Sequence, residues 1–264
     1  MRTGYTIRPT HLNRFPLSLL PVITLSNIPP LGSGEDRVVY PHPERPDLCI
    51  KIPQRSLDNL NIKGMRDTIF YLSRICRKES LDYNFVDVRY AERLERRKDG
   101  NMFQHIPRCY GFVETDLGVG VVWQRIQDFD GKPCTTLKDI KHRGQPLTAE
   151  ERDKLWMALQ DFFSWQLDHG IMLREMAYTN IMICRLNENE IRLYHIDAIG
   201  CADLIPFADY ATWFAKLRVL SKVSRFRKRM IEWLGAPPTA SQRAERKARS
   251  AAKSFDFEQV EGTE

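Results

Sequence analysis

Five short runs of apolar residues in the first half of the chain are bounded by turn-forming residues, a pattern typical of β-strands. They cover residues 22–25, 37–40, 48–52, 106–113 and 118–124. A stretch rich in proline and glycine at residues 29–36 predicts a hairpin between the first two runs. Residues 114–116 predict a second hairpin between the last two. We therefore expect a five-stranded, β-rich N-terminal part.

Helical patterns dominate the rest of the chain. Residues 66–97 are highly charged and carry an apolar stripe, which predicts a helix. Thr148 followed three residues later by Glu151 forms a capping box, which predicts a helix that ends near His169. Its apolar positions recur every three or four residues, so we interpret them as core. Residues 206–234 predict a last helix, and the fold class is therefore α+β.

Composition adds size and charge to this picture. The chain has 264 residues, 42% of them hydrophobic, which suits one large domain or two small lobes. Its 40 basic and 34 acidic residues give a net charge of +6, and much of the excess lies at residues 225–229 and 243–249. These runs could bind nucleic acid or an anionic membrane surface. A solvated helix face is the favoured interpretation, because acidic residues are interspersed in the tail.

The six cysteines are widely spread, with neither a C-x-x-C pair nor a cysteine–histidine spacing suited to zinc. We interpret them as reduced and mostly structural, which favours a cytoplasmic protein. The apolar stretch at residues 15–25 contains Pro16 and Pro21 and is shorter than the roughly 20 residues that span a bilayer. We expect a flexible leader at residues 1–21, a flexible charged tail at residues 236–264 and no membrane span.

Candidate phosphate-binding residues occur in the N-terminal half. Gly32 and Gly34 flank Ser33, and glycines allow a backbone to close over phosphates and present its N–H groups to them. Lys51 interrupts an otherwise apolar strand, so its ammonium group needs an anionic partner. From a strand next to the glycines, Lys51 would reach the same phosphates.

The stretch at residues 168–200 carries the second group of candidates. Arg174 and Glu175 are followed by Asn180, then by two predicted strands joined by a polar turn, and then by Asp197. This order is that of a protein-kinase catalytic loop. There, H-R-D-x-x-x-x-N supplies a base and a metal ligand, and D-F-G supplies a second acidic ligand.

The whole pattern resembles the protein-kinase-like superfamily and, within it, the bacterial PhoP regulatory network protein YrbL family. The resemblance covers roughly residues 22–235. It is carried by residues 30–34, 49–52, 106–111, 113–116, 128–133, 180–181, 197–200 and 204–206. It implies a two-lobe fold, with a β-rich N-lobe containing one helix at residues 22–125 and a mostly helical C-lobe at residues 126–235.

The resemblance also implies that the protein binds ATP and Mg²⁺. Gly32, Ser33 and Gly34 would cover the phosphates. Cys49 would stand where a small residue roofs the adenine, and Lys51 would hold the α- and β-phosphates.

The resemblance also implies two metal ligands and a carboxylate partner for the strand lysine. Asn180 and Asp197 would hold Mg²⁺. The kinase-type arrangement also needs one helix carboxylate that holds the strand lysine in place. Asp87 is the preferred candidate for that partner, and Glu79 and Glu92 are the alternatives.

Several positions depart from the kinase pattern. Arg37 stands at the third glycine of the loop, Leu173 replaces the histidine, Glu175 replaces the catalytic aspartate and Ala177 replaces the phosphate-directed lysine. Two functions therefore stay open. One is an atypical phosphotransferase, in which Glu175 aligns the hydroxyl of a small molecule or a protein. The other is a pseudokinase, a nucleotide-responsive module whose closed state a partner reads.

Overall fold

The computed structural model describes residues 22–34, 36–54, 83–200 and 212–239. Predictions made for residues 1–21, 66–82, 206–211 and 240–264 lie outside the described residues. The described part is a mixed α+β structure with a five-stranded sheet, a three-stranded sheet and helices packed against them.

Both sheets are antiparallel. The first contains β1 (Gly32–Ser33), β2 (Arg37–Pro41), β3 (Leu48–Pro53), β4 (Cys109–Thr115) and β5 (Gly118–Gln124), in the order β1-β2-β3-β5-β4. The second contains β6 (Thr135–Thr136), β7 (Ile181–Arg185) and β8 (Ile191–His195), in that order. The described helices are α1 (Tyr83–Arg96), α2 (Leu137–His142), α3 (Ala149–His169) and α4 (Thr212–Leu234).

The first predicted hairpin is wrong in one of its strands. Residues 22–25 do not pair with β2, whose partner on that side is the short strand β1. Instead, the Ile23 amide donates to the carbonyl of Glu114 at 3.0 Å, and the Asp116 amide donates to the carbonyl of Ile23 at 3.1 Å. The Asp116 carboxylate also accepts from the amide of Leu25 at 2.7 Å. The segment therefore lies along β4, at the opposite edge of the sheet.

Alternation along the strands gives the first sheet two different faces. On one face, Ile50, Ile52 and Val122 pack against the buried side chains of Ile23 and Leu25. This packing favours the position of residues 22–25 along β4 over pairing with β2. The other face joins the main core, and it carries the two cations that matter for the site.

Strand register explains how those two cations share a face. Val39 is the cross-strand partner of Lys51, and cross-strand partners project to the same side of a sheet. Arg37 lies two residues before Val39 and therefore projects to that side as well. Cys49 and Trp123, which also pair with each other, complete this face and pack into the main core.

The predicted capping box is confirmed. Thr148 Oγ1 accepts a hydrogen bond from the Glu151 amide at 3.2 Å, and the Thr148 amide donates to Glu151 Oε2 at 2.8 Å. Helix α3 ends at His169, because Gly170 adopts a left-handed conformation with φ of 63°. Leu167, which was also predicted to belong to the core, is only half-buried, but the other predicted core residues are buried: Leu155, Trp156, Leu159, Phe162, Phe163 and Trp165. Within the described ranges, no helix is both long enough and apolar enough to cross a membrane.

Candidate functional site

Lys51 of β3 and Asp197, two residues after β8, meet at the buried face of the first sheet. Lys51 Nζ lies 3.6 Å from Asp197 Oδ1 and donates a hydrogen bond to the carbonyl of Ile196 at 2.5 Å. It also lies 5.1 Å from the centre of the Trp123 ring, within cation–π range. The strand lysine therefore contacts the segment that carries the predicted metal ligand Asp197.

Two arginines extend this contact into a buried ion-pair network. Arg37 Nη2 lies 2.7 Å from Asp87 Oδ2 and 3.3 Å from Asp197 Oδ1. Arg174 Nη1 lies 2.6 Å from the other oxygen of Asp87. Asp87 is only 1% exposed and Arg37 8% exposed, so these charges compensate each other out of contact with water.

Arg37 is a site residue that the sequence analysis recorded only as a departure from a glycine pattern. It holds two carboxylates from distant parts of the chain. A signal for this role was present, because Arg37 occupies the same strand face as Val39 and Lys51. A charged residue on a core-facing strand position requires a partner.

The two cations shift the ionisation of Asp197. Burial alone would raise the pKa of this carboxyl, but Lys51 and Arg37 hold it well below its usual range. Burial would likewise lower the pKa of the Arg37 guanidinium, and Asp87 and Asp197 raise it instead. The Asp197 carboxylate and the Arg37 guanidinium are therefore both charged at neutral pH.

Asp87 pairs differently from the sequence expectation. Its two carboxylate oxygens face Arg37 and Arg174, and the carboxylate that faces Lys51 among the described residues is Asp197. Glu92 lies 3.6 Å from Arg96 one helical turn away. Glu79 lies outside the described residues. Asp87 does not pair with Lys51 because its two carboxylate oxygens already contact two buried guanidinium groups.

Backbone pairing joins the loop of residues 172–175 to the segment after β8. The Arg174 amide donates to the carbonyl of Ala198 at 2.7 Å, and the Gly200 amide donates to the carbonyl of Met172 at 2.8 Å. Tyr90 of α1 accepts a hydrogen bond from the Met172 amide at 2.7 Å through its hydroxyl. The loop is thereby fixed against both α1 and the Asp197 segment.

Asn180 adjoins the same segment through its backbone. The amide of Ile196 donates to the carbonyl of Asn180 at 2.9 Å, immediately before Asp197 in sequence. The Asn180 side chain is half-buried, and its Oδ1 accepts a hydrogen bond from Thr179 Oγ1 at 3.3 Å. The two predicted metal ligands therefore emerge from adjoining backbone positions.

Glu175 differs from these residues because its side chain is exposed. Its backbone, however, is held. His195 Nε2 donates to the Glu175 carbonyl at 2.8 Å, since a carbonyl can only accept. Burial lowers the pKa of His195 to about 4, which keeps the ring neutral at pH 7.

Cations from helix α4 bind the same loop. Lys222 Nζ donates to the carbonyls of Leu173 at 2.5 Å and Arg174 at 3.1 Å. Arg229 Nη2 donates to the carbonyl of Met176 at 2.6 Å. Each of these carbonyl groups belongs to the turn that carries Glu175.

The predicted glycine loop lies at the open edge of the first sheet. Gly32 and Ser33 form β1, and both they and Gly34 are exposed. A Cβ atom added to Gly32 would meet no atom within 4 Å, and one added to Gly34 would meet only the Arg37 carbonyl at 3.8 Å. The described surroundings thus leave space over this backbone. Cys49 is buried on the Lys51 face, and burial raises the pKa of its thiol.

Comparison with known proteins gives one family. Residues 23–231 match the family model described as PhoP regulatory network protein YrbL. The chain is 33% identical over 210 residues to the YrbL protein of Escherichia coli (strain K12), covering 80% of this chain and 87% of that protein. The YrbL protein of Shigella flexneri matches with the same identity and coverage.

Proposed function

The chain belongs to the PhoP regulatory network protein YrbL family, and from this premise we propose that it is a kinase-like protein that binds Mg-ATP. In this proposal the five-stranded sheet with α1 forms the N-lobe, and the second sheet with α2, α3 and α4 belongs to the C-lobe. We further propose a cytoplasmic location, which suits the free thiols of the described cysteines.

One observation carries the proposal: the 3.6 Å approach of Lys51 to Asp197. Kinase-like proteins bring a strand lysine and a metal-binding aspartate to opposite sides of the same phosphates. Asn180 adjoins this pair through its hydrogen bond with Ile196. The proximity of Lys51, Asn180 and Asp197, which come from separate parts of the chain, supports the proposal.

The donor set fits Mg²⁺. This ion prefers carboxylate and amide oxygens, which Asp197 and Asn180 supply. Asp197 Oδ1 is buried against Arg37 and Lys51, but the Asp197 side chain as a whole is 38% exposed, so an ion that approaches from solvent can reach this carboxylate. Asp197 and Asn180 would hold the ion, which would supply positive charge to offset the negative charge of the phosphates.

The chain's own residues then have distinct tasks. The Lys51 ammonium would bind the α- and β-phosphates, and the open backbone of Gly32, Ser33 and Gly34 would cover them. Cys49 would cover the adenine ring from the side of the first sheet. Glu175, exposed on a turn with a fixed backbone, would accept a proton from an acceptor hydroxyl. The acceptor is a small molecule, such as a sugar-type metabolite, or a protein.

A second candidate function is a pseudokinase that binds nucleotide without transferring phosphate. Two observations favour it. Asp197 already contacts Lys51 and Arg37, which compete with a metal ion for the carboxylate. In addition, the described residues give the Glu175 side chain no ion pair that would fix its position. In this case a protein partner would bind the form in which the two lobes have closed around nucleotide.

Thermal unfolding with and without Mg-ATP tests the nucleotide site common to both candidates. Ligand at about 100 times its Kd should stabilise the wild type by about 2.7 kcal/mol and raise its Tm by several degrees. Lys51→Ala and Asp197→Ala should abolish this shift, because each removes a group that contacts phosphate or metal.

Lys154→Ala is the matched control. Lys154 pairs with Glu150 on the surface of α3 at 3.0 Å, so its loss removes a lysine without touching the proposed site. This variant should retain the full Mg-ATP shift. Absence of a shift in the wild type would overturn both candidate functions.

A further inference from the structure

Three possible metal-binding side chains meet away from the Lys51–Asp197 network. Asp128 lies in the connector after β5, Cys134 immediately precedes β6, and Cys184 belongs to β7. One ligand atom from each of them lies within 4.8 Å of the other two. No sequence motif indicates this group, because its members are too far apart along the chain to form a cysteine motif.

Strand pairing explains why the two cysteines meet. β6 and β7 are antiparallel, with Thr135 opposite Ile183 and Thr136 opposite Met182. Continuing that register by one residue sets Cys134 opposite Cys184. Cross-strand neighbours have Cβ atoms roughly 4.5–5.5 Å apart, close enough for both sulfur atoms to reach one ion.

One distance within this group matches that of a tetrahedral zinc site. Cys134 Sγ lies 3.4 Å from Asp128 Oδ1. With Zn–S at about 2.3 Å and Zn–O at about 2.0 Å, tetrahedral angles put two such ligand atoms about 3.5 Å apart. Cys134 and Cys184 are both buried, so the chain already brings two thiols and a carboxylate together out of water.

We propose that Asp128, Cys134 and Cys184 bind a thiophilic divalent cation, Zn²⁺ by preference. A water molecule would complete four-coordination. Binding replaces the two S–H bonds with two metal–sulfur bonds and releases both protons to solvent. No electron transfer is involved.

Arg185 supplies the surroundings that such a ligand set needs. Its amide donates to Asp128 Oδ1 at 2.9 Å, and its Nε donates to Asp128 Oδ2 at 2.6 Å. These contacts fix the orientation of the carboxylate, as outer-shell partners of metal ligands commonly do. The guanidinium charge also offsets the excess negative charge of two thiolates and a carboxylate around one divalent ion.

The consequence of such a site is mechanical. The ion would tie the connector that contains Asp128 to β7, the strand that follows Asn180. The connector would then be held at a fixed distance from the second sheet. This role is independent of nucleotide binding and does not rest on the proposed function.

Cobalt titration tests the site directly. The full chain, kept reduced and freed of metal with a chelator, is titrated with Co²⁺ alone. We expect about one Co²⁺ per chain with a thiolate-to-cobalt charge-transfer absorption, which Zn²⁺ then displaces. Cys134→Ser should weaken Co²⁺ binding at least tenfold and reduce that absorption.

Two further variants make the result decisive. Cys109→Ser is the matched control, because Cys109 is a free thiol on β4 and lies outside the cluster, and it should bind Co²⁺ as the wild type does. Asp128→Asn keeps both thiols and should bind more weakly with its charge-transfer absorption retained. The proposal fails if the wild type shows no such absorption, if Cys134→Ser or Asp128→Asn binds as tightly as the wild type, or if the isolated protein contains a Cys134–Cys184 disulfide.

Discussion

Two carboxylates of the candidate site, Asp87 and Glu175, have opposite environments. Asp87 is 1% exposed, and each of its oxygens faces an arginine, Arg37 at 2.7 Å and Arg174 at 2.6 Å. Glu175 is exposed, and only its backbone is held, through the hydrogen bond from His195. One acid belongs to the framework of the protein, and the other is presented to solvent.

This difference separates what stabilises the site from what would act in it. Charges buried with their partners are costly to disturb, because removal of one leaves the others uncompensated. An exposed acid on a fixed backbone contributes little to folding, so its side chain is available for a ligand. Asp87→Ala and Glu175→Gln test this distinction directly, and a substitution of the buried histidine His105 should have an effect on the free energy of unfolding between theirs.

Asp87→Ala should have the largest effect. It leaves the guanidinium groups of Arg37 and Arg174 buried without this carboxylate, which should lower the free energy of unfolding by about 3–5 kcal/mol. Urea denaturation measures the change. Glu150→Ala, which removes an exposed acid from α3, should cost no more than about 0.5 kcal/mol. Similar losses in the two variants would contradict the framework role of Asp87.

The buried histidine His105 should give a smaller, pH-dependent effect. Burial lowers the pKa of His105 below its usual value, although Asp161 at 3.1 Å partly opposes this. The unfolded chain therefore binds a proton at a higher pH than the folded chain. Stability is complete above about pH 6.5 and is lost as the pH falls through the window below it, by at most about 1.4 kcal/mol per pH unit for one group.

His105→Gln checks this sign. Urea denaturation between pH 7.5 and 5.5 should show a smaller loss of stability in the variant than in the wild type, because one titrating group has been removed. Other buried histidines, such as His195, still titrate in the variant and cancel in the comparison. Equal losses in the two proteins would show that His105 is not held neutral by the fold.

Glu175→Gln should have the smallest effect on folding, within about 0.5 kcal/mol, because an exposed carboxylate away from special contacts contributes little. Its effect on chemistry distinguishes the two candidate functions. If Glu175 acts as the base, ATP turnover should fall by roughly 10²–10⁴-fold. A wild-type protein without turnover that still binds Mg-ATP would favour the pseudokinase, and equal turnover in both proteins would exclude Glu175 as the base.

Features with local causes were predictable from the sequence. The capping box at Thr148 depends on residues three positions apart, and β7 and β8 depend on alternation and a polar turn. The number of strands in the first sheet was also correct. The first strand was predicted at the wrong residues. Gly32 and Ser33, which form it, are too short a run to show alternation. Residues 22–25, which were predicted instead, pair about 90 residues away with β4.

Features with distant causes were not predictable. The acid partners of Arg37 are Asp87 and Asp197, and helical periodicity alone could not choose among the acids of α1. Cys134 and Cys184 meet only because β6 pairs with β7. In both cases the residue types carry the relevant chemistry, but the tertiary fold decides which of them come together.

The hydrogen bonds from helix α4 to the loop of Glu175 determine when this loop can form during synthesis of the protein. The carbonyls of Leu173, Arg174 and Met176 receive their hydrogen bonds from Lys222 and Arg229, about 50 residues later in the chain. During synthesis, all residues of the first sheet leave the ribosome before Lys222 and Arg229 do, and N-terminal parts of a chain generally fold first. The turn that carries Glu175 would therefore be the last part of the candidate site to take its final shape.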